Sequence, residues 1–390
     1  MSEPLRSSTR AGATSSLGPT LSFGFNLGKI PDQGEDADPI LRDGRDLALV
    51  GVLDGMGGAG GTVYDTPDGK RTGAYIASRV ARDVVEARML DLLQPDWNLN
   101  GRAAAEDLRR SVRDALVQRL EDLDAPKSGL RSKLLRALPT TMALLALQRT
   151  QPGGERWACH AFWAGDSRAY VLDPEGIRQL TTDDLREPSD AMTNLRHDSV
   201  VSNAMSADTD FEVSHRRVEL QAPFVVLAAT DGCFGYVRSP MHFEHLLLST
   251  LRDAATPDAW SDALQERIAA VTGDDAAMSL LSVGADFTEL QALFADRVAL
   301  LEQTFTAPLD EAATAVEEAE RSLEALRQRE REVTADVWGR YKPGYERHLH
   351  PQPVQGAPED EPSPEDAAAD GVPDDDRPGS AETSGEGSPA

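Results

Sequence analysis

The chain has 390 residues, 40% of them hydrophobic, and a formal charge of −27. That is enough apolar material for one large domain with extensions or for two smaller ones, and so acidic a balance excludes binding to nucleic acid or to an anionic membrane through bulk electrostatics. Cys159 and Cys233 are the only cysteines, too few for a disulfide framework, which favours a reducing compartment.

Residues 1–20 are rich in Ser, Thr, Gly and Pro and predict a flexible lead. They hold no apolar stretch of the secretion-signal kind, and no run in the chain reaches the ~18 apolar residues of a membrane span. The expectation is a cytoplasmic protein. From about residue 21 to 286, short apolar or β-rich runs alternate with helical patterns: LALVGVL (47–53), TTMALLALQ (140–148), WACHAFWAG (157–165), SRAYVLD (167–173), FVVLAAT (224–230) and MSLLSVG (278–284) have strand length. Helical patterns cover 72–95 and 103–121. In the second, Leu108, Val112, Leu116 and Leu120 recur every four residues on one face. A third helix opens at Thr256-Pro257, a cap followed by proline at the first position, with Trp260, Leu264 and Ile268 on one side.

After Asp286 the composition turns rich in Ala, Glu, Arg and Leu. Val316, Leu323, Leu326 and Val333 form a partial heptad stripe. An antiparallel hairpin or short coiled coil is predicted over 287–347, either packing back on the body or binding a protein partner through residues 288–340. From His348 onward eleven Asp/Glu face one Arg among Pro, Gly and Ser, which predicts a disordered acidic tail, 348–390.

The stretch LALVGVLDGMGGAGG (47–61) poses the functional question. Gly55-Met56-Gly57-Gly58-Ala59-Gly60 fits the G-x-G-x-x-G pattern of a dinucleotide-binding turn. Such a turn should open a helix at once and be followed by an acid on the next strand ~20 residues on. Here the helical pattern waits until about Thr72, beyond the polar insert TVYDTPDGKR, and Asp83 and Glu86 fall inside a helix. Gly69-Lys70 in the insert does not complete a P-loop either, since Tyr64 and Arg71 stand where Gly and Ser/Thr are needed.

A metal reading gains from repetition. LALVGVL runs into Asp54-Gly55 and FVVLAAT into Asp231-Gly232. Asp166 follows the apolar AFWA-Gly165, and Asp274-Asp275 precede MSLLSVG. A carboxylate at the end of a core strand is costly unless a cation meets it, and hard divalent cations take oxygen ligands. Any one Asp-Gly is also a good turn after a strand. Four such sites in one domain favour metal.

This set resembles the metal-dependent protein phosphatases of type 2C, in order across about residues 22–285. Gly34-Glu35-Asp36-Ala37 is similar to the family's opening E-D-A motif, and Asp54-Gly55-Met56-Gly57-Gly58 to its D-G-x-G-G segment. Thr140-Thr141-Met142-Ala143 takes the place of the T-A strand. Gly165-Asp166-Ser167-Arg168-Ala169-Tyr170 resembles the G-D-S-R hairpin, with Leu180-Thr181-Thr182-Asp183-Asp184 near the L-T-x-D-H that follows. Thr230-Asp231-Gly232 and Gly273-Asp274-Asp275 resemble the two closing motifs. The resemblance implies an α+β fold, a four-layer α-β-β-α sandwich of two antiparallel sheets, here with a C-terminal helical extension. It also implies two Mg²⁺ or Mn²⁺ ions, with a third at a weaker site. Asp54 would bridge both metals and the Gly55 carbonyl would ligate one; Asp231 and Asp274 would hold the first, Glu35 the second with Asp36 in support, and Asp166 with Asp231 the third. A water between the two ions, acidified to hydroxide, would then attack phosphorus of phosphoserine or phosphothreonine in a protein substrate, without a covalent intermediate.

Three departures stand out. Met56 and Ala59 occupy the positions where family members carry a His that serves as proton donor. Lys29 is the nearest basic residue before the E-D-A motif, where an Arg often holds substrate phosphate. The inserts 62–71 and 185–215 are unusual, and the second, with Arg196, His197 and Asp198, lies where a flap over the site is expected. His160 alternates with apolar strand residues and reads as a core histidine, and Cys233 lacks a paired base. The missing His keeps a second expectation open, a phosphatase-fold regulatory or binding module that has lost turnover.

Overall fold

The computed structural model describes residues 18–30, 33–67, 69–93, 99–123, 135–186 and 200–349. Residues 1–17, the acidic tail from 350, and Arg196, His197 and Asp198 lie outside the described residues.

Twelve strands and seven α-helices follow in chain order among the described residues: β1 (Pro19–Leu27), β2 (Ile40–Asp43), β3 (Leu47–Val52), β4 (Val63–Thr66), β5 (Gly69–Thr72), α1 (Gly73–Leu92), α2 (Gly101–Asp122), β6 (Met142–Arg149), β7 (Arg156–Ala164), β8 (Arg168–Asp173), β9 (Gly176–Gln179), β10 (Ser214–Gln221), β11 (Phe224–Ala229), α3 (Asp231–Phe234), α4 (Pro240–Asp253), α5 (Pro257–Ala269), β12 (Ala276–Val283), α6 (Phe287–Leu301) and α7 (Ala307–Tyr345), the last two joined by a π-helical turn over Glu302–Thr306. One five-stranded antiparallel sheet runs β1-β12-β11-β8-β9 and the other β10-β7-β6-β3-β2.

Three apolar layers explain the stacking. Side chains alternate across a strand, so each inner strand feeds two cores. Val50, Val52, Leu145 and Cys159 from one sheet meet Val171, Val226, Leu281 and Val283 from the other. The opposite face of the first sheet, with Leu49, Leu144 and Phe162, packs on α1 and α2 through Ile76, Val85, Leu108, Val112 and Leu116. The opposite face of the second, with Phe23, Leu227 and Leu280, packs on α4, α5 and α6 through Phe243, Leu247, Trp260, Leu290 and Phe294. The result is the expected four-layer α-β-β-α sandwich. Strands buried on both faces have continuous apolar runs, which is why β3, β6, β7, β11 and β12 were legible in sequence.

The helix caps follow the residues that favour them. Thr256 accepts from the Ala259 N–H at 3.2 Å ahead of Pro257, and Asp286 and Glu289 form a reciprocal capping box that starts α6. The polar insert 62–71 belongs to a two-stranded hairpin, β4 with β5. At the C-terminal end the predicted hairpin gives way to a single helix. Residues 287–301 form α6, an integral part of the body with Leu290, Phe294, Val298 and Leu301 buried. Helix α7 then continues for 39 residues with none of them buried. The chain divides into two compact units, residues 1–316 and 317–390. Among the described residues no helix is long and apolar enough to cross a membrane.

Candidate active site

Strand polarity gathers the acidic motifs. Antiparallel pairing sets Leu27 opposite Ala276, Ala229 opposite Met278 and Arg168, and Val52 opposite Ala143. The C-terminal ends of β1, β3, β7 and β11 and the N-terminal ends of β8 and β12 therefore share one edge of the sandwich. There, residues far apart in sequence line a cavity of about 510 Å³: Glu35, Asp54, Asp166, Asp183, Asp231, Asp274 and Asp275 supply carboxylates. Arg168 is the one guanidinium among the lining residues, and Gly55, Met56, Gly57, Gly58 and Ala59 form part of the wall.

Each carboxylate is held by its own neighbours. The loop after β3 is fixed by the Thr141 N–H and the Thr140 hydroxyl, which donate to the Asp54 carbonyl at 2.9 and 2.5 Å. Gly55 packs so closely that a Cβ there would meet the carbonyl oxygens of Glu35 and Ala74 at 2.6 and 2.7 Å, so no larger residue fits the turn. The Thr72 hydroxyl donates to Glu35 Oε1 at 2.5 Å. Ser78 Oγ and Arg79 donate to the Glu35 carbonyl, at 2.5 and 3.2 Å. Asp36 is buried behind the cavity wall, where the Thr230 hydroxyl donates to its carboxylate at 2.9 Å. Asp275 accepts from the backbone N–H of Lys29 at 2.7 Å and of Glu35 at 2.6 Å. Asp274 stands exposed at the rim and accepts from the Asp275 N–H at 2.9 Å.

The electrostatics of this end are one-sided. Burial raises the Asp36 carboxyl to about 7, against hydrogen bonds from Asp54 and Thr230 that favour its ionised form. Burial, then repulsion from Asp36, Asp231 and Asp166, drives Asp54 well above the ordinary carboxylate range. Asp231 is raised in the same way by burial and by Asp166, Asp36 and Asp274. Asp166 is pushed to about 6 by burial and by Asp183. Glu35 is raised by burial, against its bond from Thr72. The guanidinium that lines the cavity is committed: Arg168 makes a two-pronged pair with Asp183, at 3.0 Å from Nε and 2.6 Å from Nη2, both side chains 4% exposed. It also lies 4.3 Å from the Phe234 ring centre.

Such a donor set suits hard divalent cations. Several oxygen ligands on a buried floor are unstable as carboxylates until positive charge joins them, and the pressure toward protonation is the measure of that deficit. Among the described residues no group of three or more His, Cys, Asp or Glu side chains is spaced to hold a metal ion as it stands. Hard cations complete their shells with water and carbonyl oxygens as well as carboxylates.

Of the residues picked out in the sequence, Glu35, Asp54, Gly55, Asp166, Asp231 and Asp274 come together on the cavity, and Asp36 stands directly behind it. Lys29 does not join them. It is not among the lining residues, and its ammonium donates to the Gly273 carbonyl. Met56 and Ala59 do line the cavity. Cys233 is buried with its thiol pushed well up by burial, unsuited to nucleophilic work. His160 is a core histidine, 3.0 Å from its neighbour His215. Sequence reasoning missed Arg79, whose guanidinium spans the Gly34 and Glu35 carbonyls and lies 3.4 Å from the Tyr75 ring centre. Its spacing inside α1 carries no signal until the helix is docked.

Sheets, helices and the acidic edge together define a phosphatase-type α-β-β-α sandwich. Residues 35–280 match the sequence model for protein phosphatase 2C, well over half the chain, and the chain belongs to this family of protein phosphatases, enzymes that act on phosphorylated proteins. Among solved structures it is similar to the Mycobacterium tuberculosis serine/threonine phosphatase PstP/Ppp, at 18% identity and a TM-score of 0.47 over 68% of this chain and 98% of that one. The Staphylococcus aureus serine/threonine phosphatase Stp1 is 20% identical with a TM-score of 0.46, covering 71% of this chain and all of its own. The catalytic domain of the serine/threonine protein phosphatase PstP, solved in complex with 2 manganese ions, is 16% identical with a TM-score of 0.45, over 68% and 98%. No curated protein matches the chain.

Proposed function

We propose that this chain hydrolyses phosphoserine and phosphothreonine in protein substrates with the help of divalent cations, two Mg²⁺ or Mn²⁺ ions and a third at a weaker site. The observation that carries the reading is the charge of the cavity: seven carboxylates line it against one guanidinium that is already paired. A phosphate monoester dianion would be repelled from such a space unless cations neutralised it first. When bound, the cations supply charge compensation for the phosphoryl oxygens and make water acidic enough to attack phosphorus.

The chain's own residues do the rest. Asp54, Asp231 and Asp274 would hold one ion, Glu35 and Asp54 the other, with the Gly55 carbonyl on one of the two, and Asp166 with Asp231 the third. Thr230 holds Asp36 in place beside Asp54, and Thr72 and Asp275 fix the side chain and backbone of Glu35. The Arg168–Asp183 pair walls the cavity at the start of β8. With Met56 and Ala59 at the donor positions, the leaving alkoxide would take its proton from water or from another group.

The test is Mn²⁺-dependent release of phosphate from a phosphothreonine peptide by the wild type and by Asp231→Asn. Activity in the first and its loss in the second is the expected result. Those same two side chains, Met56 and Ala59, favour a second reading, a phosphatase-fold binding module without turnover. Retained Mn²⁺ binding with no hydrolysis under any divalent cation would establish that reading instead.

A further inference from the structure

Glu35 sits in a stretch, residues 34–36, that belongs to no strand or helix. The three carbonyls of that stretch are taken up by side chains instead. The Asn26 amide donates to the Asp36 carbonyl at 2.9 Å, and Ser78 Oγ to the Glu35 carbonyl at 2.5 Å. Arg79 spans the two peptide groups that flank the Glu35 Cα: Nη2 donates to the Gly34 carbonyl at 3.1 Å and Nη1 to the Glu35 carbonyl at 3.2 Å. Its other bonds run to the Tyr75 carbonyl at 3.1 Å and to Ser78 Oγ at 3.2 Å. Among the described residues, none of the hydrogen bonds of this half-buried guanidinium goes to a carboxylate. Burial works against its charge, and packing alone would be served as well by an apolar side chain. What the charge and the fork achieve here is a grip on the backbone of Glu35.

We propose that Arg79 is a positioning residue for the cation site built on Glu35: its guanidinium clamps the backbone on both sides of Glu35 and so presets the direction in which the carboxylate points. The role rests on the metal reading given above. Two carbonyls at a fixed spacing call for a planar fork with two nitrogens, which arginine has and lysine lacks. The plane of the fork is itself held, because Arg79 Cζ lies 3.4 Å from the centre of the Tyr75 ring on the preceding turn of α1. The start of α1 thereby acts as one template. Thr72, its cap, bonds Glu35 Oε1, while Ser78 and Arg79 bond the Glu35 backbone and Asp275 accepts from its N–H. Among the described residues this leaves Oε2, packed against Gly57 of the cavity wall, for a cation. Partners that orient a metal ligand from behind account for about 10–100-fold in metal affinity.

Isothermal titration calorimetry of the full chain with MnCl₂ tests the role. Arg79→Gln should weaken one class of Mn²⁺ sites by about 10–100-fold and leave the others as in the wild type. Arg79→Lys keeps the charge but offers one nitrogen for two carbonyls, so it should weaken the same sites; it also serves if the Gln variant does not fold. Glu35→Gln supplies the control for a purely structural effect. In that background the ligand is already lost, and adding Arg79→Gln should change Mn²⁺ binding no further. Thermal melts in chelator read the fold apart from the ions, and a cooperative transition is expected in every variant. An Mn²⁺ isotherm unaltered by both Arg79 variants, or an equal loss with and without Glu35, would overturn the proposal. So would loss of the folded transition in both Arg79 variants, which would make the residue structural. A wild type that binds no Mn²⁺ would remove the metal reading itself, and this role with it.

Discussion

The backbone N–H of Glu35 donates to the carboxylate of Asp275 at 2.6 Å, joining positions 240 residues apart at the mouth of the cavity. The other carboxylate oxygen of Asp275 holds the Lys29 N–H, so one side chain closes the loop between β1 and β2 onto the start of β12. Replacing it by Ala leaves two backbone donors without their charged acceptor, and a hydrogen bond to a charged group is worth about 1.5–3 kcal/mol. Asp275→Ala should lower the urea midpoint accordingly. It should also raise the Mn²⁺ concentration needed for half-maximal hydrolysis, since Glu35 is no longer held.

Two glycines of one turn should respond differently to Ala. At Gly57 the added Cβ would collide with the free end of the Glu35 carboxylate, which can swing away. Gly57→Ala is expected to keep nearly full stability while weakening metal-dependent activity at least ~10-fold, a loss of about 1.4 kcal/mol of transition-state stabilisation. At Gly55 the obstacles are two backbone carbonyls, and Gly55→Ala should destabilise the fold by about 1–3 kcal/mol in addition. Paired thermal melts and phosphatase assays separate the two effects.

The Arg168–Asp183 pair is almost fully buried, so removing one partner strands the other charge. Asp183→Leu should cost about 3 kcal/mol or more, while the double change Arg168→Met/Asp183→Leu should cost clearly less than Arg168→Met and Asp183→Leu together. Chemical denaturation of the four proteins gives the coupling; additive costs would show that the pair is not the relevant unit.

Metal should stabilise the body. Carboxylates raised by burial and mutual repulsion gain most from a bound cation, and a ligand that binds only the native state raises stability by about 2.7 kcal/mol at 100 times its Kd. The expected result is a saturable rise in Tm with Mn²⁺ that chelator reverses and that Asp54→Asn largely removes.

Acid should weaken the β6–β7–β10 region through a histidine pair. Burial, with help from His215 and Arg217, holds His160 down to about 4, and burial lowers His215 as well. A base whose native pKa lies below its unfolded one binds fewer protons folded than unfolded. Stability from these groups is therefore complete above about pH 6.5 and is lost as pH falls toward 4. Comparing urea midpoints at pH 7 and pH 5 in wild type and His160→Phe should show a smaller acid loss in the variant.

Much of this protein was legible in its sequence. Strands buried on both faces must be continuous apolar runs, so LALVGVL, FVVLAAT and MSLLSVG announced themselves, and the carboxylates that end or begin them marked where charge meets the core. The edge strands β2 and β9 and the helix α4 gave weaker signals, because a short edge strand buries little and has no long run to show. What sequence could not decide was convergence. Glu35, Asp54, Asp166, Asp231 and Asp274 share one cavity because antiparallel pairing brings alternate strand ends to one edge, a property of sheet order rather than of any local stretch. The same holds for Lys29, whose place outside the cavity lining, with its ammonium on the Gly273 carbonyl, is visible only once the loops are folded. The residues of 288–340 looked alike as helix formers, yet α6 is covered by α4 and α5 while α7 keeps its seam exposed. Periodicity tells which face of a helix is apolar; only the packing of neighbouring elements determines whether that face is already covered.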